Sequence, residues 1–217
     1  MRTFAILPVK SFDEAKHRLE GDLVPASRRE LAEAMFTDVL LALHGTSALD
    51  EILVVTGDPR AQRIAARLGT GTIDDDDRGH NTAASLGVRA ALRSGADRAL
   101  LVPGDCPALD PAEVERLLVH PAGPRSVLIV PDRHGTGTNA LLIAPPDAIT
   151  PSFGPGSCQR HLRLARDAGA GAKIVESSTL AMDVDTADDL TALHEALVAA
   201  PDRAENTRNL LGRLVPS

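Results

Sequence analysis

The chain has 217 residues, 43% hydrophobic and 24% charged, enough for a real core, which excludes a wholly disordered or collagen-like protein. Lys and Arg number 23 against 30 Asp and Glu, a net charge of −7, with no Trp, no Tyr and four Phe. A nucleic-acid groove needs a basic stripe and usually aromatic platforms, so nucleic acid is not expected as a partner. No apolar run reaches the ~18 residues of a membrane span, and the first apolar stretch, Phe4 to Pro8, is too short for a signal peptide. Cys106 and Cys158 make no disulfide framework, so a cytoplasmic location is expected.

Short apolar runs alternate with stretches of helical period. Thr3 to Val9 reads as a buried strand. Ser27 to Leu43 reads as a helix opened by a capping box, Ser27 to Glu30. Glu51 to Thr56 is a second strand, and Asp58-Pro59 opens a second helix. Thr70 to Asp74 is a short strand leading into Asp74-Asp75-Asp76-Asp77, a charge run read as a solvated loop rather than a metal site. Asn81 to Arg93 is helical, Arg98 to Pro103 a strong strand, and Asp110-Pro111 another helix start. Ser126 to Val130 and Asn139 to Ala144 are strands flanking the loop 134–138. Ser157 to Asp167 is a helix, Lys173 to Glu176 a short strand, and Asp185 or Thr186 caps a helix reaching Ala199. The expectation is one domain, 1–217, with 201–217 a loosely held tail. Its class is α/β: a mostly parallel mixed sheet with helices on both faces. Ligands of such sheets bind outside the carboxyl ends of the strands, so motifs there count most.

After the first strand a dinucleotide fold would place G-x-G-x-x-G, which is absent; this weighs against a nicotinamide or flavin enzyme. Lys10, Lys16, His17 and Arg18 stand there instead. Either they form a solvated mixed-charge loop or they receive a phosphate chain that the acidic protein would otherwise repel. Gly104-Asp105-Cys106-Pro107 puts a carboxylate directly after a strand. Asp183 and Asp185, two residues apart, point the same way if the chain is extended. Such carboxylates suit Mg2+, which takes a few of them plus substrate phosphates, although Asp185 could instead be a cap. Gly79 permits close backbone approach, and Asn81 offers a donor and an acceptor to a base edge or caps the next helix. Gly135-Thr136-Gly137-Thr138 supplies hydroxyls and N–H groups. Phe153-Gly154-Pro155-Gly156-Ser157 leads into a helix N-terminus suited to an anion, and His161, one turn on, either faces the same anion as a substrate contact or is a surface or core residue.

Taken together, Pro8-Val9-Lys10, Ala15-Lys16 with Arg18-Leu19, Gly79-x-Asn81, Gly104-Asp105-x-Pro107, 135–138, 153–157 with His161, and Asp183-Val184-Asp185-Thr186 resemble the CofC/FbiD family. Its members are guanylyltransferases of coenzyme F420 biosynthesis. The resemblance covers about Thr3 to Ala199 and implies a fold like the nucleotide-diphosphosugar transferases and the molybdenum-cofactor guanylyltransferase. It implies Mg2+ on Asp105, Asp183 and Asp185. It implies phosphoenolpyruvate or a related acid on Thr138, Gly154 and Ser157, with His161 nearby. Pro8, Val9, Lys10, Lys16, Arg18, Gly79, Asn81 and Gly104 would take GTP, with Lys16 and Asp105 in the catalytic role. One departure is His80, where an apolar residue such as Leu is expected.

The expected reaction joins GTP to phosphoenolpyruvate or 2-phospho-L-lactate with loss of pyrophosphate, the product passing to the next F420 enzyme. The nucleophile is a phosphate oxygen already anionic near pH 7, so no general base is needed. Phosphoenolpyruvate is favoured on composition alone, Ala, Arg and Leu being abundant and Lys scarce, as in high-GC bacteria. The alternatives are 3-phospho-D-glycerate, another nucleotidyltransferase acting on a sugar phosphate or cofactor precursor, and a regulatory domain that binds nucleotide without turnover.

Overall fold

Strand β1 (Thr3–Pro8) is buried along its whole length, as a continuous apolar run flanked by parallel strands requires. The computed structural model describes residues 1–76, 78–120 and 123–214, so Asp77 of the acidic run lies outside the described residues. The other strands are β2 (Glu51–Val55), β3 (Gly71–Ile73), β4 (Arg98–Leu101), β5 (Ser126–Pro131), β6 (Thr138–Ala144) and β7 (Gly171–Ile174). They form one sheet in the order β3-β2-β1-β4-β6-β5-β7. β1 pairs in parallel with β2 and β4, β2 with β3, and β5 with β7. β6 is antiparallel to both β4 and β5. The expected mostly parallel mixed sheet is present, and β6 is its one reversed strand among the described residues.

Helices cover both faces. On one, α1 (Pro25–His44), α2 (Pro59–Arg67) and α4 (Pro111–Leu118) bury Phe36, Leu40, Ala61 and Leu117 against Leu7, Val54, Leu100 and Leu142. On the other, α3 (His80–Arg93) and α5 (Ser157–Asp167) bury Ala84, Val88 and Ala165 against Ile6, Val55, Leu101 and Ile143. Alternate residues of the buried strands thus feed opposite cores, as the period of two demands. A third cluster joins Leu31 and Met35 of α1 to Leu193 and Leu197 of α6 (Ala187–Ala199) and to Leu210 of α7 (Glu205–Leu214).

Several boundaries differ from expectation. α1 starts at Pro25, not Ser27, and its N-cap Val24 makes no side-chain cap; proline presets the first helical φ without one. β7 sits two residues earlier than expected, its register set by pairing with β5 rather than by its own exposed residues. Asp58 and Asp110 cap α2 and α4 as expected, while Thr186, not Asp185, caps α6. Asp75 is buried, so the acidic segment is not wholly solvated. Of the expected tail, the described α7 is seated on α1: Asp38 accepts from Asn206 N (3.2 Å), Asn206 Nδ2 (2.8 Å), Thr207 N (2.7 Å) and Thr207 Oγ1 (2.7 Å). It satisfies the free N–H groups of the α7 N-terminus from a neighbouring helix.

Gly87 lets α3 lie against the sheet. A Cβ there would overlap Ile6 Cγ2 and stand 3.1 Å from Val55 Cγ2. Gly87→Ala gains about 1 kcal/mol of helix propensity but overpacks two buried strands, typically at about 1–3 kcal/mol. The variant is expected to melt several degrees below wild type; a Tm equal to or above wild type would contradict this packing.

Candidate active site

Because β1 and β4 are parallel and β6 is reversed, Pro8, the segment after Leu101 and the start of β6 at Thr138 share one edge. A cleft of about 590 Å³ opens there. It is lined by Pro8, Val9, Lys10, Lys16, Arg18, Asn81, Gly104, Asp105, Gly154 and Asp185, ten of the residues read from the sequence, together with His80, Phe153 and Met35. Gly79 precedes α3 at φ +91, a conformation that favours glycine. Thr138, Ser157, His161 and Asp183 stand outside the cleft lining, and the first three form a group of their own.

Lys16 adopts the left-handed conformation (φ 59, ψ 37) and turns its side chain inward, leaving 7% exposed. Its Nζ donates to Asp105 Oδ2 and, at 3.1 Å, to Asp185 Oδ1. Arg18 Nη1 stands 3.6 Å from Asp185 Oδ2 at the solvent rim. The Asp183–Asp185 segment is set by Val184 N–H donating to the Asp105 carbonyl (3.2 Å). Asp189 closes its far end, accepting from Asp185 N (3.0 Å) and Thr186 N (2.7 Å). Asp183 accepts from Asn139 Nδ2 (3.0 Å), a β6 residue that the sequence did not single out.

Burial opposes the charge of Lys16, but Asp105 and Asp185 outweigh it and its pKa is raised. Burial pushes the Asp183 carboxyl up, and Asp105 and Asp185 add to this against the pull of Asn139. The three carboxylates therefore lie close enough to feel one another. Among the described residues no three His, Cys, Asp or Glu side chains enclose a metal position as arranged. The cation bridging Asp105 and Asp185 is the Lys16 ammonium. Hard oxygen donors with surplus negative charge fit a divalent cation in chemistry, but such a cation would compete with Lys16 for the same oxygens. Lys16 is thus spent on carboxylates rather than left free for a triphosphate. Lys10, exposed in the cleft and without an ion pair among the described residues, and Arg18 are the available cations.

The loop before β6 is closed by Asp132, whose carboxylate accepts from Thr136 N (2.9 Å) and Gly137 N (2.8 Å). A Cβ on Gly137 would run into that carboxylate. These N–H groups, read as anion donors, are already satisfied. So are two at the α5 N-terminus: Ser157 N donates to Gly154 O (3.0 Å) and Cys158 N to Thr136 O (3.2 Å). Arg160 clamps the glycine loop, donating to the carbonyls of Ser152 (3.0 Å), Phe153 (3.3 Å) and Pro155 (3.1 Å). No spacing rule would have singled out Arg160 or Asp132.

Asn81 departs from its expected role. Its Oδ1 accepts from Phe153 N (2.7 Å) and its Nδ2 donates to Phe153 O (3.2 Å), so the amide joins α3 to the 153–156 loop instead of offering a free edge to a base. It is not the helix cap either, since Gly79 occupies that position. His80 packs edge-on against Phe153 (5.1 Å, 84°), as an apolar residue would, and its pKa is lowered by burial. Phe153 in turn meets His161 (5.3 Å, 75°).

His161 is fully buried. Its Nε2 accepts from Ser152 N (3.0 Å) and its Nδ1 lies 3.0 Å from Thr138 Oγ1. Burial, helped by Arg160, depresses its pKa to about 4. It is therefore neutral with both nitrogens engaged, and does not face an anion as a cation. Ser157, also fully buried, donates from Oγ to Thr138 Oγ1 at 3.2 Å.

The chain matches the family described as "Guanylyl transferase CofC like" over residues 3–211. It belongs to that family. The phosphoenolpyruvate guanylyltransferase of Conexibacter woesei is 49% identical over 217 residues, covering 99% of this chain and 97% of the relative. The 3-phospho-D-glycerate guanylyltransferase of Colwellia psychrerythraea is 34% identical over 93% of this chain and 94% of its own length. The 2-phospho-L-lactate guanylyltransferase of Methanothermobacter thermautotrophicus is 33% identical, covering 88% and 83%. A proposed nucleotide-diphospho-sugar transferase of Desulfovibrio desulfuricans shares the fold, with a TM-score of 0.78 at 19% identity over 98% of this chain and 95% of that one. No described helix is long and apolar enough to cross a membrane.

A histidine held at a pKa of about 4 binds fewer protons when folded than when unfolded between pH 6.5 and 4. Its contribution is complete above pH 6.5 and falls as pH drops towards 4, by about 3 kcal/mol at most. Chemical denaturation of wild type and His161→Phe across that window should show a steeper loss in wild type. Parallel curves would contradict a buried neutral imidazole.

Proposed function

We propose that the chain is a guanylyltransferase that joins GTP to phosphoenolpyruvate, releasing pyrophosphate, in coenzyme F420 biosynthesis. The observation that carries this reading is the 49% identity, over nearly the whole of both chains, to a phosphoenolpyruvate guanylyltransferase. The cleft supports it: cations and carboxylates meet at the strand edge where an α/β sheet binds ligands, with a hydroxyl-bearing loop beside them.

A phosphate oxygen of the acid attacks the α-phosphorus of GTP in line. The new P–O bond forms as the bond from the α-phosphorus to its bridging oxygen breaks, and pyrophosphate leaves with that electron pair. The nucleophile is already anionic, so no side chain need take a proton. The obstacle is the approach of one anion to another. Lys10 and Arg18, at the cleft wall, reduce the repulsion by the triphosphate's own charge. Pro8, Val9, Gly79 and Gly104 bring backbone close to the nucleotide, and Asn81 holds the 153–156 loop that forms the opposite wall. Thr138 and Gly154 face the acid, with Ser157 behind Thr138. Asp105, Asp183 and Asp185 would hold a divalent cation, Mg2+ in this reading, which when bound would lower the charge on the phosphates. Lys16 fixes Asp105 and Asp185 in mutual register and compensates their charge.

The purified chain, given GTP, Mg2+ and each of phosphoenolpyruvate, 2-phospho-L-lactate and 3-phospho-D-glycerate in competition, should release pyrophosphate fastest with phosphoenolpyruvate. Preference for another of the three would reassign the acid within the family. Turnover only with a sugar phosphate, or GTP binding without turnover, would overturn the reading. Asp105→Asn and Asp185→Asn should each lower kcat on the order of 10²–10³-fold, the scale of losing one electrostatic contributor. Lys10→Ala should raise the KM for GTP while leaving that for the acid near wild type; equal rises would contradict its place on the nucleotide side.

A further inference from the structure

The side-chain group behind the glycine loop has a forced hydrogen-bond polarity. Ser152 N–H can only donate, so His161 Nε2 must present a lone pair, and the one ring proton of a neutral imidazole sits on Nδ1. That proton points at Thr138 Oγ1, 3.0 Å away. Ser157 Oγ, fully buried, lies 3.2 Å from the same oxygen and sends its proton there. Leaving a buried hydroxyl proton unpaired is costly, whereas Thr138 is only half-buried and can send its own proton outward. A hydroxyl oxygen has two lone pairs and one proton. Both lone pairs of Thr138 Oγ1 are then occupied by the protein's own donors.

We propose that His161 is a positioning residue that, with Ser157, makes Thr138 a donor only, its single hydroxyl proton directed at an unprotonated carboxylate or phosphate oxygen of the acid substrate. This rests on the guanylyltransferase reading above. It places His161 behind the binding surface, one hydrogen bond removed from the ligand. The edge contact of Phe153 on the imidazole keeps the ring from turning, so the proton on Nδ1 stays aimed at Thr138. The neutral, deeply buried state of the ring serves this task, because a second ring proton on Nε2 would confront the Ser152 N–H.

Four variants test it by steady-state kinetics of pyrophosphate release. His161→Phe keeps a ring but loses the donor. It should raise the acid KM about tenfold, the equivalent of one hydrogen bond, with the KM for GTP unchanged. His161→Asn, whose amide nitrogen stands as many bonds from Cα as Nδ1, should recover part of that loss. Thr138→Val should match His161→Phe, and the double variant should be no worse than Thr138→Val alone, because both remove one interaction. A merely structural His161 would raise both KM values, and its effect would multiply with that of Thr138→Val; either result overturns the proposal. Nitrogen-15 NMR of the wild type reads the tautomer without any need for turnover, and is expected to find the proton on Nδ1. A proton on Nε2 overturns the proposal even if every kinetic result agrees. A wild type that releases no pyrophosphate with any acid would remove the functional reading, and the tautomer would then decide the hydrogen-bond polarity by itself.

Discussion

The site depends on a single buried charge. The Lys16 ammonium is nearly enclosed and shared by Asp105 and Asp185, which lie 89 and 169 residues away in sequence. An ammonium taken out of water is costly unless paired, and a carboxylate pair is costly unless neutralised. The ammonium is the buried member, with its side chain 7% exposed against 28% for Asp105 and 43% for Asp185, so it is the group that needs the others. Its two ion pairs join the loop after β1, the turn after β4 and the segment before α6 at one point. Asp183, third in the group, receives no share of the ammonium and is held by Asn139 instead. The remaining negative charge is what a divalent cation with a triphosphate could exploit.

The reversed strand supplies the second half of the site. If β6 ran parallel to its neighbours, Thr138 and Asn139 would begin it at the far edge of the sheet. Running against β4 and β5, it brings both to the edge where Asp105 emerges. The two loops beside it are then held by the protein's own hydrogen bonds: Asp132 closes 132–137, Arg160 closes 152–155, and Asn81 ties the latter to α3. Such a surface is organised before any ligand arrives, which limits the ordering cost of binding.

Much of the fold was legible in the sequence because its signals are local. Apolar runs gave the buried strands β1, β2, β4, β5 and β6, and Asp-Pro pairs gave the starts of α2 and α4. Two of the departures were decided by a distant partner. The register of β7 follows β5, and the seating of α7 follows Asp38. Ten of the candidate residues do line one cleft, since motifs at strand ends of a parallel sheet have one place to go. Their individual tasks were less legible. Asn81, His161 and the backbone donors of 136–137 and 157–158 were read as ligand contacts and prove to be engaged with the protein.

The amino-acid order determined the alternation of strands and helices, the edge at which chemistry would gather and the kinds of group available there, because periodicity, caps and residue type act over a few positions. Only the tertiary structure decided which donor meets which acceptor. Hydrogen-bond capacity is finite: once Lys16 is held by two aspartates and His161 by Ser152 and Thr138, neither is free for a ligand, and no local pattern records partners that lie far along the chain.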